Sequence, residues 1–77
     1  MNEIVSNLYS YLMDLNIKYD NFIEMLDIIN FPFEIAFMSH NLLKIIHYCD
    51  GYKFTIRLIK SVNCDVQISC RKVYDFE

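Results

Sequence analysis

Between Ile4 and Leu15 the apolar residues Ile4, Val5, Leu8, Tyr11, Leu12 and Leu15 recur at three- and four-residue intervals, the spacing that lines one face of a helix. Asn2 can accept from the free N–H groups of a first turn, so a helix is predicted over about 3–15. Asn16 and Ile17 break the stripe. Asp20 or Asn21 can start a second helix, the latter with Glu24 three residues on in a capping-box-like arrangement. Phe22, Ile23, Leu26 and Ile29 supply its apolar side. Pro32 disfavours helical geometry at Phe31, which ends this helix near Asn30 and places it over about 21–30. The short connection makes the pair an antiparallel hairpin.

Past Pro32 the period becomes two: Phe33, Ile35 and Phe37 alternate with Glu34, Ala36 and Met38. This predicts a strand over about 33–38, with a short third helix as the competing reading. Ser39-His40-Asn41 is a polar break in which Asn41 tolerates the left-handed conformation of a three-residue hairpin loop. The strongest local signal is Asp50-Gly51, set between the apolar-rich stretches 42–49 and 52–60. A two-residue type I′ turn needs positive φ at both central positions, and Asp-Gly supplies them. Such a turn sets Cys49 opposite Tyr52, His47 opposite Phe54, Ile45 opposite Ile56 and Leu43 opposite Leu58, all on one face. The Ser39 loop is expected to add Phe37, Ile35 and Phe33 to that face. Val66, Ile68, Cys70, Tyr74 and Phe76 then alternate with Gln67, Ser69, Arg71 and Asp75, predicting a last strand over about 66–75. Lys72 falls on its apolar side near the end, where a long side chain can snorkel. The expected fold is α+β: two N-terminal helices packed on one face of a three- or four-stranded antiparallel meander sheet, in a single small domain over 1–77.

Composition agrees with a folded chain. The 77 residues are 55% apolar and 22% charged, with one Gly and one Pro, which places them on the globular side of the disorder boundary and leaves no long flexible linker. A chain this short buries only about 60% of its extended surface, so marginal stability is expected. No apolar run approaches the roughly 18 residues of a membrane span, and Asn2 and Glu3 offer no basic leader; a cytoplasmic protein with no membrane partner is expected. Cys49, Cys64 and Cys70 are an odd number without a C-x-x-C pair, which suits buried thiols in a reducing compartment. The richness in Ile, Asn, Tyr, Phe and Lys, all with AT-rich codons, fits an AT-rich genome such as that of a phage or mobile element.

Charge adds a polarity. Residues 1–34 hold six carboxylates against Lys18, a balance of −5, and residues 35–77 hold six cations against four carboxylates, a balance of +2, giving −3 for the chain. Asp20, Glu24 and Asp27 follow an i, i+4, i+7 spacing and are expected on one side of the second helix, as an acidic partner-binding face or as ordinary solvated charge. On the far face of the sheet the hairpin register sets Lys44 opposite Arg57 and Tyr48 opposite Lys53, with Arg71 nearby and Leu42, Ile46, Thr55 and Ile59 between them. Lys44, Ile46, Tyr48, Lys53, Arg57 and Arg71 thus make a mixed basic, aromatic and aliphatic surface, able to meet an acidic protein, a second copy, or single-stranded nucleic acid.

No catalytic constellation is apparent. His47 and Cys49 share a strand face and could approach a metal, but they lack the paired spacings of a zinc site, so a core histidine beside a buried thiol is expected, with no metal and no cofactor. Glu24 and Asp27 on an exposed helix stay ionised and are poor general acids. Gly51 is committed to a turn, leaving no Gly-rich phosphate cradle. The sequence therefore points to a non-enzymatic protein-binding module, of the kind represented by small phage or mobile-element inhibitors that block a host protein such as a CRISPR-type defence effector by occupying its surface. A homodimeric structural or regulatory subunit burying Leu42, Ile46, Ile59 and Val73 is the alternative. Nucleic acid is the least favoured partner, because the net charge is negative and Tyr48 is the one clear stacking residue on the far face.

Overall fold

The computed structural model describes residues 2–73, and residues 74–75, expected at the end of the last strand, lie outside them. Two helices precede four strands: α1 (Asn2–Lys18), α2 (Phe22–Leu26), β1 (Glu34–Met38), β2 (Leu42–Cys49), β3 (Tyr52–Lys60) and β4 (Cys64–Lys72). The strands form an antiparallel sheet in the order β1-β2-β3-β4, so the chain meanders.

The centre of the sheet follows from its turn. Asp50 and Gly51 have φ of 54° and 79°, the two positive values that a type I′ turn demands. The β2–β3 register is the one expected, with Cys49 beside Tyr52, His47 beside Phe54, Ile45 beside Ile56 and Leu43 beside Leu58. Strand β4 continues the alternation, pairing Leu58 with Val66, Ile56 with Ile68 and Phe54 with Cys70. Against the apolar side of these strands pack Leu12 and Leu15 of α1 and Phe22 and Met25 of α2. Leu12, Met25, Leu43, Ile45, Phe54, Ile56 and Leu58 are fully buried; each such side chain contributes about 1.5–3 kcal/mol when removed from water. Helix α1 lies over β3 and β4, and every residue of β1 is exposed.

Three local expectations change. Helix α1 runs on through Lys18 because Asn16, taken as its end, is a core residue: it is fully buried, and its Nδ2 donates to the carbonyls of Ile59 at 3.0 Å and Asp65 at 3.1 Å. Lys60 Nζ then donates to the carbonyls of Asn16 and Tyr19, closing the helix C-terminus with a cation. Helix α2 begins as expected, with Asn21 Oδ1 accepting from the Glu24 N–H at 3.0 Å, but it stops at Leu26 rather than near Asn30. Beyond it the chain is held by Tyr11, whose hydroxyl donates to the Ile28 carbonyl at 3.1 Å and accepts from the Asn30 N–H at 3.0 Å. Ile29 is buried although it is not helical.

The third change is at β1. The strand is present, but Met38 pairs with Leu43 and Phe37 with Lys44, and an irregularity at Ala36 restores the expected pairing of Ile35 with Ile45. The turn is tighter than a simple three-residue loop: the Ser39 N–H donates to the Leu42 carbonyl at 2.8 Å and the Leu42 N–H to Ser39 Oγ at 3.2 Å. One extra residue in one strand of an antiparallel pair transfers its neighbours to the opposite face. Phe37 therefore leaves the core face and joins the far face. Ile35 keeps its side but stays exposed, since no helix covers it.

Candidate functional site

The far face carries no packed element, because both helices bury their apolar residues on the other side. Its side chains fall into rows set by the register. One row reads Phe37, Lys44, Arg57, Gln67 from β1 to β4; the next reads Glu34, Ile46, Thr55, Ser69; the third reads Tyr48, Lys53, Arg71 from β2 to β4. Leu42, Ile59 and Asp65 continue the face beyond Lys44. All six residues of the surface inferred from sequence, Lys44, Ile46, Tyr48, Lys53, Arg57 and Arg71, thus share one side of the sheet.

Two of the three rows have the same composition in the same order: an aromatic ring, a lysine and an arginine on successive strands. Phe37 is 51% exposed and Tyr48 is 55% exposed. At about 3.3 Å per residue the row at Lys53 and the row at Arg57 stand roughly 13 Å apart, and neighbouring strands roughly 4.8 Å apart. Phe37 is the member that sequence reasoning missed, because only the irregularity at Ala36 brings it here.

Among the described residues no carboxylate lies within ion-pair distance of Lys44, Lys53, Arg57 or Arg71. Lys44 stands opposite Arg57 and Lys53 opposite Arg71, and like charges directly opposite in a sheet oppose each other.

Two shallow depressions open along the sheet, one lined by Lys53 and the other by Tyr48, its partner on β2. One, of about 180 Å³, is lined by Lys53, Thr55, Ser69 and Arg71, so it offers two cations and two hydroxyls. The other, of about 190 Å³, lies beside Tyr48 and is lined by Pro32, Phe33, Glu34 and Ile46.

Asp20, Glu24 and Asp27 are all exposed, but α2 does not gather them. Asp20 precedes the cap, Glu24 lies in the only complete turn, and Asp27 is the C-cap. A five-residue helix is too short to set an i, i+4, i+7 series on one side.

His47 is a core residue. Its Nδ1 lies 2.7 Å from the Pro32 carbonyl; a carbonyl only accepts, so Nδ1 carries the hydrogen. Its ring centroid is 4.4 Å from that of Phe31 and 6.0 Å from that of Phe54. The Cys49 thiol is pushed up by burial, then by the charge of the neighbouring Asp50 carboxylate and a hydrogen bond to it, the opposite of what a reactive thiolate requires. Among the described residues no group of three or more His, Cys, Asp or Glu is placed to hold a metal ion, none of the three cysteines is in a disulfide, and no helix is long and apolar enough to cross a membrane.

Comparison with protein-family models, curated proteins and solved structures finds no match for this chain.

Proposed function

We propose that this chain is a non-enzymatic binding module whose working surface is the open sheet face and whose partner is anionic. The observation that carries the reading is the set of four cations, Lys44, Lys53, Arg57 and Arg71, that find no carboxylate partner among the described residues, on a face that no part of the described chain covers. Opposed like charges cost stability, and an anionic surface laid over the sheet turns that repulsion into attraction. The carboxylates Asp20, Glu24 and Asp27 sit on the helical layer. They stand across the sheet, so at physiological salt, where the screening length is about 8 Å, they weaken this attraction little.

The biological form we attach to this surface is a blocking protein: a small phage or mobile-element product that acts in the host cytoplasm and occupies an acidic surface of a host protein, such as a CRISPR-type defence effector. The absence of a reaction centre among the described residues and the small, rigid, Gly-poor sheet favour blocking by occupation over chemistry.

The same charges weigh against the alternative of a face-to-face homodimer. Burying Leu42, Ile46 and Ile59 against their copies would set Lys44 and Arg57 against a second set of cations.

Chromatography on a sulfonate cation exchanger at neutral pH and low salt tests the reading. A chain with net charge −3 is expected to be retained, because four of its seven cations, Lys44, Lys53, Arg57 and Arg71, share one face. The double change Lys44→Glu with Arg57→Glu is expected to abolish retention, whereas Asp20→Asn with Glu24→Gln is expected to preserve it. Flow-through of the unaltered chain contradicts the reading.

A further inference from the structure

We infer that the open sheet face is a platform for single-stranded nucleic acid. This rests on the reading of that face as an anion-binding surface and names the anion.

The argument starts from repetition. An acidic protein patch presents carboxylates without flat rings at a regular interval. Single-stranded nucleic acid alternates a charged phosphate with a base that has a π-face, and its recognition uses cations for the one and exposed aromatic rings for the other. The far face repeats that pair of chemistries twice, as Phe37-Lys44-Arg57 and as Tyr48-Lys53-Arg71. In each row the ring lies one strand from the lysine and two from the arginine, roughly 5 and 10 Å across the sheet, and the rows are roughly 13 Å apart along it.

The two depressions offer the two chemistries that a nucleotide presents. The dent formed by Lys53, Arg71, Thr55 and Ser69 offers charge-assisted and hydroxyl donors suited to a phosphate. The groove beside Tyr48, with Ile46 and Pro32 in its walls, offers the apolar shelf and ring edge suited to a base. Glu34 at its margin can accept from an exocyclic amine.

The objection that a negatively charged chain repels nucleic acid loses force once the carboxylates of the α2 region are placed on the helical layer. The objection that the face has a single stacking residue fails at Ala36, where the irregularity in β1 turns Phe37 onto it. A duplex is not expected to bind in the same way, because its bases are already stacked.

The test is fluorescence anisotropy with the full chain and four probes: labelled oligothymidylate and oligouridylate of about twelve nucleotides, within the site sizes of small single-strand-binding domains, the corresponding duplex, and poly-L-glutamate. The single strands are expected to bind more tightly than the duplex and poly-L-glutamate. The logarithm of affinity is expected to fall against the logarithm of salt with a slope between about −1.4 and −2.8, for two to four phosphates neutralised. Tyr48→Ala and Phe37→Ala, at exposed positions where the fold does not depend on the ring, are each expected to weaken the single strand about ten-fold or more and to leave poly-L-glutamate unchanged.

Binding of poly-L-glutamate without the single strands overturns this inference and leaves the anionic-partner reading standing. Binding of no probe overturns both. Single-strand binding that is indifferent to both aromatic substitutions reduces the face to unspecific charge and also overturns the inference.

Discussion

Replacing Asn16 is expected to loosen the junction between α1 and the sheet more than any other single polar substitution in the helix. Its side chain is fully buried and bridges the carbonyls of Ile59 and Asp65 from one nitrogen, while its Oδ1 has no partner. Asn16→Ala removes two hydrogen bonds, each worth about 1 kcal/mol net, and opens a small cavity. It also relieves an unpaired buried acceptor, which returns about as much as the cavity costs. The expected net loss is about 2 kcal/mol, a fall in Tm of about 8–16 °C for a domain of this size. Asn16→Asp keeps the shape but substitutes an acceptor for the donor facing two carbonyls, so it is expected to cost more than alanine. Urea and thermal unfolding followed by circular dichroism measure both variants against the unaltered chain. A loss below about 0.5 kcal/mol for alanine, or an aspartate variant as stable as the unaltered chain, refutes the assignment of Asn16 as the fastening between the layers.

Other outcomes follow from the same geometry. Gly51→Ala meets no atom within 4 Å but must hold φ at 79°, so urea unfolding should show a loss of about 1–2 kcal/mol from backbone strain alone. Cys49 carries a thiol pushed up by burial and by Asp50, so less of it is thiolate at a given pH. Alkylation followed site by site in mass spectra should be slower there than for a free cysteine and should accelerate with rising pH. Asp50→Asn, which still suits a type I′ turn, should bring it closer to the ordinary rate. Neutralising Asp20, Glu24 and Asp27 together should strengthen single-strand binding by a few-fold at low salt, and the gain should vanish as added salt shortens the screening length to about 8 Å.

Much of the sheet could be read from sequence because its instructions are local. Asp50-Gly51 dictates its own turn, and the turn dictates which of residues 42–60 face the helices. Asn16 was illegible for the opposite reason. A polar residue that interrupts an apolar stripe looks like a helix end, and its justification lies 43 and 49 residues away, in two carbonyls at the turn end of the β3–β4 hairpin. The early end of α2 was hidden because Ile29 continues the helical spacing while the chain leaves the helix to meet Tyr11. At the site itself, the positions of Lys44, Tyr48, Lys53 and Arg57 followed from the central hairpin. Phe37 did not, because alternation assigns a face only while pairing is regular. The irregularity at Ala36, on an edge strand with no helix above it, has no signature in composition or period.

The account's central claim is that the far side of the sheet is the part of the molecule that meets its ligand. Amide chemical-shift mapping of the isotopically labelled chain during titration with oligothymidylate addresses that claim most directly. The expected result is a contiguous set of perturbed amides around Phe37, Lys44, Tyr48, Lys53, Arg57 and Arg71, with α1 and α2 quiet. Perturbations gathered on the helical layer around Asn21 and Glu24, or no perturbation at saturating oligonucleotide, would contradict it.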